Sequence, residues 1–199
     1  MTKYRCSALV SRWIKMQVVV VPGNGGGDIF QGNWYGWIFR KLGQLGVNCV
    51  MKNMPDPVIA RESVWIPFMR DELKCGEDTI IIGHSSGAEA AMRYAEQYTV
   101  HGIILVSACV TDLGIETERQ SGYYSRGWDW TAIKNNVKVI VQFGSTDDPF
   151  IPWSEQEEVA KGLQSDFYKF TDRGHFMNSQ FPELLEVVKS LIHADLLDE

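Results

Sequence analysis

Residues 79–98 read TIIIGHSSGAEAAMRYAEQY, and this stretch decides the fold. Thr79–Ile82 is a short run rich in isoleucine, the pattern of a strand buried on both faces. Gly83-His84-Ser85-Ser86-Gly87 follows directly, and Ala88–Tyr98 then continues at helical spacing. Strand, G-x-S-x-G and helix in immediate succession make a nucleophile elbow. The turn is so tight that a side chain at either glycine would strike the neighbouring strand or helix. The serine is thereby held on strained backbone with its oxygen facing a cleft. The buried strand before it and the small residues Ala88, Ala90 and Ala91 after it separate this motif from an ordinary Gly/Ser turn.

Outward from the elbow, short apolar runs alternate with longer helical periodicities. Further strands are expected at Gln17–Val21, Val47–Met51, Gly102–Ser107, Val137–Phe143 and Asp166–Phe170. Helices are expected at Trp34–Leu45, Ala60–Leu73 (bent at Pro67), Ser154–Leu163 and Phe181–Ile192. Ser154 is read as an N-cap, with Glu157 completing a capping box. Such alternation predicts βαβ units and a mostly parallel sheet of about six strands, covered on both sides. Residues 16–199 are expected to form one α/β domain, with ligands at the carboxyl ends of the strands.

The composition narrows the function classes. The 199 residues are 45% hydrophobic and 12% aromatic, enough for a full core. Nineteen Lys and Arg against 25 Asp and Glu leave a formal charge of −6. That balance repels nucleic-acid backbones and anionic lipid surfaces. No apolar run reaches the roughly 18 residues of a membrane span, so a soluble chain is expected. Cys6, Cys49, Cys75 and Cys109 are scattered, with no CxxC pair and no histidine at ligand spacing. They read as reduced thiols in or beside the core of a cytoplasmic, or also nuclear, protein without metal or cofactor. Residues 1–15 carry Lys3, Arg5, Arg12 and Lys15 and no acid. They read as a frayed extension, with mitochondrial targeting the minor alternative.

A serine hydroxyl needs a base oriented by a carboxylate, in the chain order Ser, acid, His. After Ser85, His101 precedes a strand and His193 ends the last helix; both are expected to be solvated. His175, in the loop after the last strand, is the well-placed base. The acid belongs to Gly144–Pro152, where Asp147 and Asp148 both stand. Asp148 is preferred because Pro149 fixes the backbone beside it, with Asp147 accepting turn N–H groups. The oxyanion requires preorganised donors. These are expected to be the amide of Ser86 and that of Asn24 or Gly25, in the glycine-rich loop after the first strand. That loop is not a nucleotide cradle, since Asp28 breaks G-x-G-x-x-G and no Gly-Lys-Ser/Thr follows. Aromatics crowd the same loops: Trp34, Tyr35, Tyr123, Tyr124, Trp128 and Phe150 are candidates for the substrate pocket. Three of these, Tyr123, Tyr124 and Trp128, lie with Trp130 in the long stretch Thr111–Asn136, expected to form a lid or pocket wall. About half of the rings are expected to pack in the core instead.

The segments VVPGNGGGD, WYGW, NMPDP, TIIIGHSSGA and VQFGSTDDPF together resemble the retinoblastoma-binding protein nine family of small serine hydrolases, in the α/β-hydrolase superfamily. The resemblance runs from about Met16 to the last helix; residues 1–15 have no counterpart. It implies a minimal α/β/α sandwich lacking the superfamily's first hairpin, and a triad of Ser85, Asp148 and His175. The expected activity is cleavage of a small ester or amide, with an apolar or aromatic acyl or aminoacyl group, through an acyl-enzyme. The family's name raises an alternative, an interaction role. Leu73-Lys74-Cys75-Gly76-Glu77 spells L-x-C-x-E, the pattern bound by retinoblastoma-type pocket proteins. The spelling is cheap to match, and freeing Leu73 and Cys75 from a core would cost roughly 1.5–3 kcal/mol per side chain.

Overall fold

The computed structural model describes residues 16–194. The expected N-terminal extension, and Cys6 within it, lie outside the described residues. Six strands form one sheet: β1 (Gln17–Val21), β2 (Asn48–Val50), β3 (Thr79–His84), β4 (Val100–Val106), β5 (Val137–Ser145) and β6 (Asp166–Phe170). Their spatial order is β2-β1-β3-β4-β5-β6, and every neighbouring pair is parallel. Among the described residues seven helices accompany them: α1 (Tyr35–Gln44), α2 (Glu62–Asp71), α3 (Ser86–Ala95), α4 (Glu116–Ser121), α5 (Trp130–Asn136), α6 (Trp153–Leu163) and α7 (Pro182–Ala194). None of these helices is long and apolar enough to cross a membrane.

Side chains alternate along each strand, so each face of the sheet builds its own core. Val19, Val21, Ile81, Ile103 and Leu105 face a cluster shared with α2, α3, α5 and α6, including Trp65, Met69 and Tyr94. Val18, Val20, Ile80, Ile82 and Ile104 face the opposite cluster, closed by Ile38 and Leu42 of α1 and by Leu184 and Val188 of α7. Both faces are buried, which is why the central strands read as continuous apolar runs.

Two local expectations are corrected. Helix α6 begins at Trp153 behind Pro152, and no side chain caps it. Ser154 therefore falls inside the first turn, and no capping box forms with Glu157. His101 is buried at 4% exposure, because β4 begins one residue before it in a sheet covered on both faces. His193 is exposed, as expected. Pro67 lies inside α2 without ending it. The stretch Thr111–Asn136 carries α4 and α5 and walls one side of the carboxyl edge.

Candidate active site

The site grows from the crossing point of β1 and β3, whose crossover connections leave in opposite directions; ligands bind at such points in parallel sheets. Ser85 leaves β3 with φ 53° and ψ −127°, a conformation that costs an ordinary residue about 1–3 kcal/mol. The surrounding structure enforces it. A Cβ on Gly83 would collide with the Gly87 carbonyl, and one on Gly87 would collide with the carbonyls of Val21 and Pro22. Gly23 is needed for a gentler reason, since a Cβ there would sit 3.2 Å from Cβ of Ser85.

His175 reaches the same edge on the loop after β6. Its Nδ1–H donates to Asp148, 2.9 Å to Oδ2 and 3.1 Å to Oδ1. The Asp148 side chain is fully buried and His175 is 9% exposed. Asp148 also accepts from the Ser107 hydroxyl at 2.8 Å and from the amides of Phe150 and Ile151 at 2.9 and 3.0 Å. Burial pushes its carboxyl up, but the bonds from His175, Ile151 and Phe150 outweigh burial and hold it below the ordinary value. Asp147 points elsewhere. Its carboxylate accepts from the Ser145 hydroxyl and, at 2.9 Å, from the Gly174 amide, tying the two loops together.

Ser85, His175, Asn24 and Phe150 line one cavity of about 310 Å³. The amide of Ser86 opens α3, where no carbonyl of the helix can accept it. Of the two oxyanion candidates after β1, the Gly25 amide is spent on the Pro57 carbonyl at 2.9 Å. Gly25 is therefore corrected; of the two residues, Asn24 lines the cavity. The Asn24 side chain is itself held by Glu118 at 2.7 Å.

The aromatic candidates divide evenly. Tyr35, Tyr124 and Phe150 line the cavity. Trp34 does not: it is fully buried, its ring packs on Phe181 just before α7, and its indole donates to the Phe176 carbonyl at 2.9 Å. Tyr123 is buried in the other core. Trp128 lies over the Arg93 guanidinium at 3.7 Å and donates to the Val110 carbonyl. These three side chains are turned away because larger apolar or cationic surfaces claim them. Their places are taken by Leu113, Ile115, Ile151 and Met177, which have no motif to announce them.

Three further groups escaped the sequence reading. His84, Glu89 and Glu118 all line the cavity. Glu89 is 1% exposed and accepts from the Cys109 amide at 2.9 Å; burial drives its carboxyl well above the ordinary value. Burial likewise raises Glu118, against the bond from Asn24. A glutamate inside a small-residue helix was the available signal for Glu89.

The L-x-C-x-E segment joins α2 to β3 with its apolar side chains inward. Leu73 is 1% and Cys75 8% exposed, while Glu77 is exposed. The Cys75 carbonyl accepts from the Tyr94 hydroxyl and the Leu73 carbonyl from Gln17, so the backbone is also engaged. A partner that binds this pattern extended would have to unpack the core first.

A parallel sheet, helices on both faces and a strained serine between β3 and α3 define an α/β-hydrolase. Comparison with known proteins agrees. A family model described as serine hydrolase matches residues 18–192, and the chain belongs to that serine hydrolase family. It is 62% identical over 177 residues to serine hydrolase RBBP9 of Rattus norvegicus, covering 88% of this chain and 95% of the relative. Among solved structures, the ydeN gene product of B. subtilis superposes with a TM-score of 0.80 at 24% identity, covering 89% of this chain and 99% of that one. A meta-cleavage product hydrolase from Pseudomonas fluorescens IP01 gives 0.68 at 13% identity, covering 90% and 91%. These two likenesses establish the shared fold.

Proposed function

We propose that this serine hydrolase cleaves a small ester or amide through Ser85, His175 and Asp148. The observation that carries the reading is the His175–Asp148 hydrogen bond at 2.9 Å, at the rim of the cavity that contains Ser85 on its strained turn. Because Asp148 can only accept, Nδ1 of His175 carries the proton and Nε2 is left as the base. Ser85 Oγ attacks the carbonyl carbon while its proton passes to His175 Nε2. The amides of Ser86 and Asn24 bind the oxygen that becomes negative. His175 then returns the proton to the leaving oxygen or nitrogen, and an acyl-Ser85 ester remains. Water attacks that ester, giving a proton to His175, and Ser85 recovers it as the acid departs. Asp148 stays ionised and stabilises the imidazolium.

The cavity size supports a small acyl group, and Leu113, Ile115, Phe150 and Met177 at its wall support an apolar one. A fluorophosphonate probe tests the reading, since it captures an activated serine. Wild type is expected to label and Ser85→Ala not to label. Equal labelling of the two would remove Ser85 from the reaction.

A further inference from the structure

One chain of hydrogen bonds links the three loops of the site, and it passes through a residue with no role in the scheme above. His84, the x before the serine in G-x-S-x-G, is 2% exposed. Its Nε2 lies 2.8 Å from the backbone carbonyl of His175, and its Nδ1 lies 2.5 Å from the Tyr35 hydroxyl. That hydroxyl also meets the Gly23 amide at 3.1 Å and the Asn33 side-chain amide at 3.3 Å.

The direction of each bond follows from chemistry alone. A carbonyl only accepts, so Nε2 of His84 must carry the proton. Nδ1 of the neutral ring is then an acceptor, so Tyr35 must donate to it. The Tyr35 oxygen is left to accept from Gly23 and Asn33. Every partner has one compatible role, and the chain runs Gly23 N–H to Tyr35 O–H to His84 to the carbonyl of His175.

We infer that His84 is a positioning residue: with Tyr35 it fixes the backbone of His175 and the Gly23–Asn24 turn relative to Ser85. This rests on the reading of Ser85 and His175 given above. An imidazole suits the task because it is rigid, accepts on one side and donates on the other. Its surroundings keep it in that form. Burial, and then the nearby His175, push it down to about 3, against the weaker opposite pulls of the His175 carbonyl and Asp148. Trp34 covers a further side, with ring centroids 5.8 Å apart. A charged His84 would turn Nδ1 into a donor facing the Tyr35 hydroxyl and break the chain. The inference extends to the base's location: the His175 side chain is held by Asp148, but its backbone is held by His84.

Two measurements test this. NMR of nitrogen-15 histidine-labelled protein reads the tautomer directly. A neutral, Nε2-protonated His84 throughout pH 5–8 is expected; an Nδ1-protonated or titrating His84 overturns the inference, whatever the activity. Kinetics with p-nitrophenyl acetate read the positioning. His84→Phe is expected to lower kcat about a hundredfold with KM within about threefold, as a misplaced base does. His84→Gln, which keeps a donor toward the His175 carbonyl, is expected to recover most of that loss. Should His84→Phe fail to fold, Tyr35→Phe carries the test with an expected kcat loss of about tenfold. Wild-type kcat in Tyr35→Phe, or no recovery in His84→Gln, overturns the inference. Full turnover by Ser85→Ala would sink the reading of Ser85, while the tautomer measurement still judges His84 separately.

Discussion

The elbow at residues 83–87 and the wall at residues 111–136 face each other across the cavity, yet they are built on different principles. The elbow is made of backbone. Gly83 and Gly87 allow β3, α3 and β1 to approach, and the serine's place follows from that contact. The wall is made of side chains that reach over long separations. Arg93 of α3 donates to the carbonyls of Tyr123, Arg126 and Gly127, pairs with Glu96 and is covered by Trp128. Glu155 of α6 holds the amides of Val110 and Thr111 from the other side. Local chemistry therefore reads out well in the first region and poorly in the second.

The hardest blow to the wall is Arg93→Met. It leaves three carbonyls without their donor and Glu96 without its nearest cation, and is expected to cost about 3–5 kcal/mol by urea unfolding. Faster proteolytic cleavage within 111–129 would accompany it if the wall depends on this one side chain. Unchanged stability would show that the wall stands without the clamp.

A somewhat smaller loss, about 3 kcal/mol, is expected from Gly87→Ala, because the added methyl meets backbone that cannot yield freely. Fluorophosphonate labelling should slow together with the loss of stability, since Ser85 rides on the same contact. A variant as stable and as reactive as wild type would mean that the elbow does not need its glycine.

The smallest effect belongs to Glu89→Gln, on the elbow's own helix and facing the wall. An unfolded glutamate ionises near about 4.3, whereas burial keeps Glu89 protonated to higher pH in the fold. The folded state then binds more protons than the unfolded one, so stability falls as pH rises from about 4.3 through the raised folded value. Glutamine keeps the acceptor for the Cys109 amide and removes the titration. The melting temperature of the variant should match wild type near pH 4 and exceed it increasingly above that. Parallel curves across pH would refute a buried, protonated Glu89.

The aromatics show where reading stops. Trp34 and Tyr35 are adjacent in the chain, yet Trp34 packs on Phe181 in the core while Tyr35 reaches the cavity and the His84 imidazole. Tyr123 and Tyr124 part in the same way. Nothing in residue type separates the members of either pair, because each ring suits a core or a pocket wall equally well. The L-x-C-x-E spelling meets the same ambiguity: three matched letters say nothing about which side of the chain faces the core, and in the fold Leu73 and Cys75 face inward.

From the amino-acid order alone came the parallel sheet, the elbow, and the choice of His175 with Asp148, because periodicity, tight-turn glycines and a proline-flanked loop act over a few neighbouring residues. Folding in three dimensions decided that the Gly25 amide is spent on the Pro57 carbonyl, which rings line the cavity, and that His84 joins the loops. Those outcomes depend on partners up to 142 residues apart in the chain, as between the Trp34 indole and the Phe176 carbonyl. A buried donor or acceptor takes whichever partner the packing brings within reach.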